Sequence, residues 1–213
     1  DVYCSAVGND SNGGVFPSLP KATLQSLIDS RALEPGDVVY IDTGVYLLTA
    51  PVLVGDLDAG QSTNRVVFQG STNVAAGGTV FNRQTTSGNA LHLQRTAGIE
   101  FRNLNIINAG QGVYSDEAGD CYFIDVRVEN CSSADFAANK SPTNYFLRCL
   151  ARSSGSGLEP NQSMMIWRNG VIWGNMKPVD LQNGGSAALY NSVLRAVGAS
   201  ARIYSLSTSA GNI

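Results

Sequence analysis

Five side chains with chemical potential recur at close to even spacing: His92, Tyr114, Asp135, Glu159 and Asp180. If they share one face of a repeating fold, they stack roughly 5 Å apart as a candidate substrate-binding stripe. Paired carboxylates at that separation can act as general acid and base on a glycosidic bond, or hold calcium through oxygen ligands. A solvated outward face would carry the same residue types. The second candidate set is basic and catalytic. Arg148 and Arg168 are expected at the same bend position of adjacent repeats, where they would clamp an anionic carboxylate in bidentate fashion. Lys140, in an extended loop "AANKSPTN", would be the base of a β-elimination if burial or neighbouring arginines depressed its pKa. Pairing of these cations with acids such as Asp125 or Glu129 is the structural alternative.

The elements that must position these residues are visible as a repeat. "FRNLNIIN" at 101 returns as "FIDVRVEN" at 123, "FLRCLARS" at 146, "IWRNGVIW" at 166 and "LYNSVLRA" at 189, with starts 22, 23, 20 and 23 residues apart. Apolar residues hold the first, fourth and sixth places, as in Phe101, Leu104 and Ile106, and a polar residue holds the third. Alternation before and after a polar break reads as strand, bend, strand. A third strand is expected at "ALHL", "GVYS", "ADFA", "SGLE" and "PVDL", whose starts are 22 residues apart throughout. Three short strands in roughly 22 residues make one turn of a solenoid. The fold class is therefore all-β, a right-handed parallel β-helix with a short N-terminal capping α-helix.

The cap is expected in "PKATLQSLIDSRAL", where Leu24, Leu27, Ile28 and Leu33 fall at helical spacing and "EPGD" closes the segment. One β-helix domain over residues 1–213 follows, with an N-terminal strand and cap helix in 1–36 and coils in 37–213. No amphipathic cap follows "ARIYSLSTSAGNI". Either a neighbouring subunit covers the last coil or the chain is a piece of a longer protein. The opening residues show no leader pattern, so any export signal is expected to have been removed.

With 15% charged residues and a net charge of −3, the sequence has no nucleic-acid footprint, and its apolar runs are too short for a membrane helix. One histidine and cysteines without a CxxC pair argue against zinc. Cys121 and Cys131, ten residues apart, leave open either a bridge or buried thiols. Asp56 and Asp58 of "GDLDAGQS" lack the rest of a calcium loop and read as a polar connection. The Asn and Asp residues of "GNDSN" read as an Asx turn. No cofactor is required; calcium is the cation the outward acids would suit.

"YCSAVGNDSNGG", "ATLQSLID", "EPGDVVYIDTGVY" and "NRVVFQGS" together resemble the start of extracellular right-handed β-helix proteins of the pectate-lyase-like superfamily. That group includes polysaccharide lyases and large bacterial surface proteins. The resemblance implies an extracellular or cell-surface location. Lyases of this fold use lysine or arginine as base, with calcium or arginine neutralising a uronate, and no segment here matches such a motif. Fold alone does not give function. The favoured reading is a non-catalytic module with a structural, glycan-contacting or assembly role. The alternative is a polysaccharide lyase, or less readily a glycoside hydrolase, acting on acidic polysaccharide.

Overall fold

The computed structural model describes residues 1–153 and 155–197, and the backbone of the strand Tyr204–Ser207. Among these residues, strands assemble into three parallel sheets of eight, seven and seven strands. The first sheet runs from Val2–Cys4 through Ile99–Arg102, Cys121–Ile124, Thr143–Leu147 and Met164–Arg168 to Ser186–Tyr190. The second includes Leu104–Ile107, Arg127–Glu129, Leu150–Arg152 and Val171–Trp173. The third includes Asn89–Gln94, Gln111–Asp116, Ala134–Asn139, Ser156–Asn161 and Lys177–Gln182. Each coil contributes one strand to each sheet, so the chain is the expected parallel β-helix. The bare end coil expected at the C-terminus falls largely outside the described residues.

The recurring phenylalanine makes the core. Phe68, Phe101, Phe123, Phe146 and Trp167 follow one another along the axis, with ring centroids 4.7, 5.6, 5.0 and 5.5 Å apart. Phe136 of the third sheet meets Phe123, Phe146 and Trp167 edge to face. Like-on-like stacking follows from parallel register, which places equivalent residues of successive coils in adjacent strands.

Between the first and second sheets the chain turns on a single residue with positive φ: Asn103, Asp125, Arg148, Asn169 and Asn191. Asn and Asp tolerate this left-handed conformation better than other non-glycine residues, which explains the polar place in the repeat. Adjacent corner amides also bond, Asn191 Nδ2 donating to Asn169 Oδ1 at 2.8 Å. One assignment needs correction. Trp167, not Ile166, pairs with Phe146, so Arg168 pairs with Leu147 inside the strand, and Asn169 occupies the corner.

The cap helix is shorter than its sequence pattern predicts, spanning Leu24–Asp29. Thr23 caps it by accepting from Ser26 N, and Asp10 holds Thr23 through its backbone N–H and its hydroxyl, at 2.8 and 3.0 Å. The "GNDSN" segment thus fixes the lid onto the first coil, and Ser11 N donates to Asn9 Oδ1 in the expected Asx turn. Leu24, Leu27, Ile28 and Leu33 are all buried. Asp58 accepts from Leu33 N and Gly55 N, so "GDLDAGQS" is a connection tied to the cap.

All four cysteines are free and buried, which removes the Cys121–Cys131 bridge from consideration. Burial, above every other influence, pushes each thiol up to about 12. Thiolate is the reactive form. The native protein is therefore expected to react negligibly with a thiol-specific disulfide reagent at neutral pH, and to titrate as four thiols once unfolded. Rapid reaction of the folded protein would contradict this packing.

Candidate functional site

The outward face of the third sheet brings together most of the predicted stripe. His92 pairs with Tyr114, Tyr114 with Ala137, and Ala137 with Glu159. The pairing of Leu158 with Val179 then sets Glu159 beside Asp180. Ala137 stands where Asp135 was expected. Its small side chain opens a hollow of about 460 Å³ lined by Gln111, Tyr114, Ala137, Asn139, Glu159 and Asn161. A phenol ring thus borders one side of the hollow, a carboxyl the other, and carboxamides close it.

Partial burial shifts His92, Tyr114 and Glu159 on this face. His92 lies 5.2 Å from the Tyr114 ring, centroid to centroid, and its Nε2 is buried without a hydrogen-bond partner. Burial lowers its pKa, partly opposed by Asp116, so the imidazole is held neutral. Tyr114 is raised by burial and then by Asp116, while its bond to Asn139 works the other way. Glu159 is raised by burial first and by Asp180 second, against a bond from Ser156 and the charge of Lys177. Asp180 is buried and accepts from Lys177 Nζ at 2.9 Å. The arrangement offers an apolar ring, hydrogen-bonding amides and a carboxyl with a raised pKa. Such a set suits hydroxyl-rich ligands.

Asp135 is not on this face. The third-sheet strands begin with two successive inward residues, Gly112 and Val113, then Asp135 and Phe136, then Gly157 and Leu158. That irregularity reverses the in–out parity, and Asp135 is fully buried at the corner between the second and third sheets. Ser153 Oγ donates to one carboxyl oxygen, and Asn175 Nδ2 to the other at 2.8 Å. Ser153 Oγ also accepts from Cys131 N. Burial pushes Asp135 up to about 7, the bonds from Ser153, Asn175 and Cys131 acting in the opposite direction. Cys131, Ser153 and Asn175 are spaced by 22 residues, a period that could have revealed this corner column.

The basic candidates are not assembled. Lys140 is itself a corner residue with φ of 49°, three positions before the next strand, so no extended loop exists there. Its Nζ lies 4.0 Å from Glu117. Arg148 occupies the opposite end of the strand Thr143–Leu147, a separation of about 17 Å at the usual rise. The Arg148 guanidinium is bidentate on Asp125, at 2.8 and 2.6 Å. Arg168 lies over the Tyr190 ring, 5.0 Å from its centroid. Arg148 and Arg168 are neighbours on adjacent coils, Arg148 N donating to Arg168 O at 3.0 Å, but their guanidinium groups take different partners and Lys140 lies at another corner. Among the described residues, no group of three or more His, Cys, Asp or Glu side chains is placed to hold a metal ion, and no helix is long and apolar enough to cross a membrane.

Comparison with solved structures identifies the architecture. A rhamnogalacturonan lyase superposes with a TM-score of 0.73 at 17% identity, covering 99% of this chain and 62% of its own. Pectate lyase Pel9A gives 0.73 at 16% identity, covering 90% of this chain and 52% of its own. The fold is the parallel β-helix of these lyases. The chain spans between half and two thirds of their length. An alginate lyase from Paenibacillus sp. is more distant, with a TM-score of 0.50 at 14% identity, covering 86% of this chain and 76% of its own. No protein-family model matches the sequence, and a search of curated proteins returns no match.

Proposed function

We propose that this β-helix is a secreted or surface-borne carbohydrate-contacting module that seats a saccharide along the outer face of its third sheet. The observation that carries this reading is the hollow over Ala137, bordered by Tyr114 and Glu159. An aromatic ring offers apolar surface to sugar C–H groups, while carboxamides and a carboxyl take up the hydroxyls. The likeness of the fold to polysaccharide lyases is consistent with this class of ligand without assigning it.

Charge narrows the class. The face carries Asp116, Glu159 and Asp180 against Lys177, which would repel a polyanion. A neutral saccharide is therefore favoured over a uronate polymer. β-Elimination on a uronate would also need Lys140 beside Arg148 and Arg168, and Lys140 lies beyond the far end of the strand Thr143–Leu147 while the two guanidinium groups are engaged by Asp125 and Tyr190.

The test is calorimetric titration with a panel of neutral and acidic oligosaccharides, followed in parallel by the ultraviolet absorbance of unsaturated uronate, with and without calcium. Binding of a neutral member at this face is expected, that component being weakened about tenfold or more by Tyr114→Ala, with no absorbance change. Unsaturated product lost in Lys140→Ala would establish the lyase reading instead.

A further inference from the structure

A second concavity lies on a different sheet, at the N-terminal end of the solenoid. It measures about 1040 Å³, and its floor is formed by Tyr3, Tyr40 and Gln69 on successive strands of the first sheet. The rings of Tyr3 and Tyr40 are stacked 5.4 Å apart, and Tyr40 remains 40% exposed. Asp42 and Asn103 add a carboxylate and an amide at the corner end.

Two departures from the repeat build its walls. In later coils the corner between the first and second sheets is a single residue, as at Asn103 or Asp125. Between the strands Val66–Gly70 and Thr79–Asn82 that corner expands to residues 71–78. The solenoid does not need this length, yet the segment is firmly held. Ser71 N donates to Thr79 Oγ1 at 2.8 Å, Thr43 Oγ1 donates to Ser71 Oγ at 2.6 Å, and Thr79 Oγ1 in turn donates to Ile41 O at 3.0 Å. At its root, a Cβ on Gly70 would lie 2.2 Å from Asn103 O, so the corner closes only with glycine there. The opposite wall comes from Val7, Pro17, Ser18 and Pro20, with two prolines to stiffen it.

We propose that this groove is a second saccharide-binding site, taking a neutral oligosaccharide across Tyr40. Aromatic surface beside fixed oxygen and amide groups, with no cation among its lining residues, matches an uncharged polyol. An extended peptide fits less well, because strand addition needs open backbone groups. The adjacent edge strand is already satisfied: Tyr3 N donates to Gly14 O at 2.7 Å, Ser5 N to Lys21 O at 2.9 Å, and Lys21 N to Tyr3 O at 3.1 Å. The groove stands on its own residues and does not depend on the third-sheet site.

The test uses the full chain titrated calorimetrically with cellotetraose and galactotetraose, in the wild type, Ala137→Trp, Tyr40→Ala, Tyr40→Phe and the Ala137→Trp/Tyr40→Ala double variant. Ala137→Trp fills the third-sheet hollow and isolates the groove. Binding that persists in Ala137→Trp, falls about tenfold or more in the double variant, and survives in Tyr40→Phe is the expected result. Thermal unfolding of each variant shows whether the fold is retained. Loss of all binding in Ala137→Trp, or no effect of Tyr40→Ala in that background, would overturn the second site. Failure of the third-sheet site alone would appear differently, as wild-type binding untouched by Ala137→Trp and abolished by Tyr40→Ala. Competition by an extended hexapeptide at Tyr40, with neither sugar bound there, would also overturn the proposal.

Discussion

Phe123→Ala is expected to destabilise the protein by about 4 kcal/mol, in the range for an aromatic side chain removed from a packed core. Phe123 is fully buried and stacks on Phe101 at 5.6 Å and on Phe146 at 5.0 Å, with Phe136 against its edge. The neighbours are fixed by strand register and cannot collapse into the space without breaking backbone pairing. Stability in a solenoid is also carried by contacts between adjacent coils, and this ring contributes to two such interfaces. Urea unfolding should show a lower midpoint with little change in slope. A loss under about 1 kcal/mol would mean that the aromatic column does not hold the coils together.

Asp135→Asn is expected to stabilise the protein above neutral pH. The folded state raises Asp135 from 3.8 to about 7, so the fold prefers the protonated carboxyl. Its contribution is fully present below about pH 4, declines as the unfolded chain ionises between about pH 4 and 7, and is gone above that. At 1.36 kcal/mol per pKa unit the span is roughly 4 kcal/mol. Asparagine stays neutral throughout. Its amide can also serve Asn175, whose Oδ1 is buried and unpartnered, once the Asn175 amide turns over. Asp58 and Glu159 are raised as well and add the same sign, whereas His92 is lowered and loses stability as pH falls. Because those groups are common to both proteins, the difference between variant and wild type isolates Asp135. Stability curves measured from pH 4 to pH 8.5 should diverge with rising pH up to about pH 7 and hold a constant gap above that. Parallel curves would mean that the carboxyl ionises freely in the fold.

Both predictions rest on features that were unequally legible in the sequence. The Phe101, Phe123, Phe146 period exposed the solenoid because core positions of a parallel stack admit one kind of residue, and the repeat therefore survives in one chain. The cap was legible through Leu24, Leu27 and Ile28 for a similar reason. The candidate site was less so. Ile166 resembles the start of a repeat, and the shorter spacing between Phe146 and Trp167 moves the true start by one residue, which displaced Arg168 from the corner.

Parity misplaced Asp135. Alternation predicts an outward side chain there, but the two successive inward residues at each third-sheet strand start are masked in neighbouring coils by Gly112 and Gly157, which show no polarity. Small residues leave no hydrophobic signal. The same slip hid Ala137, whose missing bulk makes the hollow. Lys140 looked like part of a loop because lysine is an uncommon corner residue, and only backbone geometry reveals its positive φ.

Filling that hollow tests the central claim most directly. Ala137→Trp places a large side chain between Tyr114 and Glu159 without removing any core contact, so unfolding should be little changed while the space for a sugar disappears. With Tyr40→Ala as background to silence the other groove, titration of the best neutral oligosaccharide is predicted to lose about tenfold or more in affinity when Ala137→Trp is added. Equal affinity with and without the tryptophan would contradict a saccharide site on the third sheet.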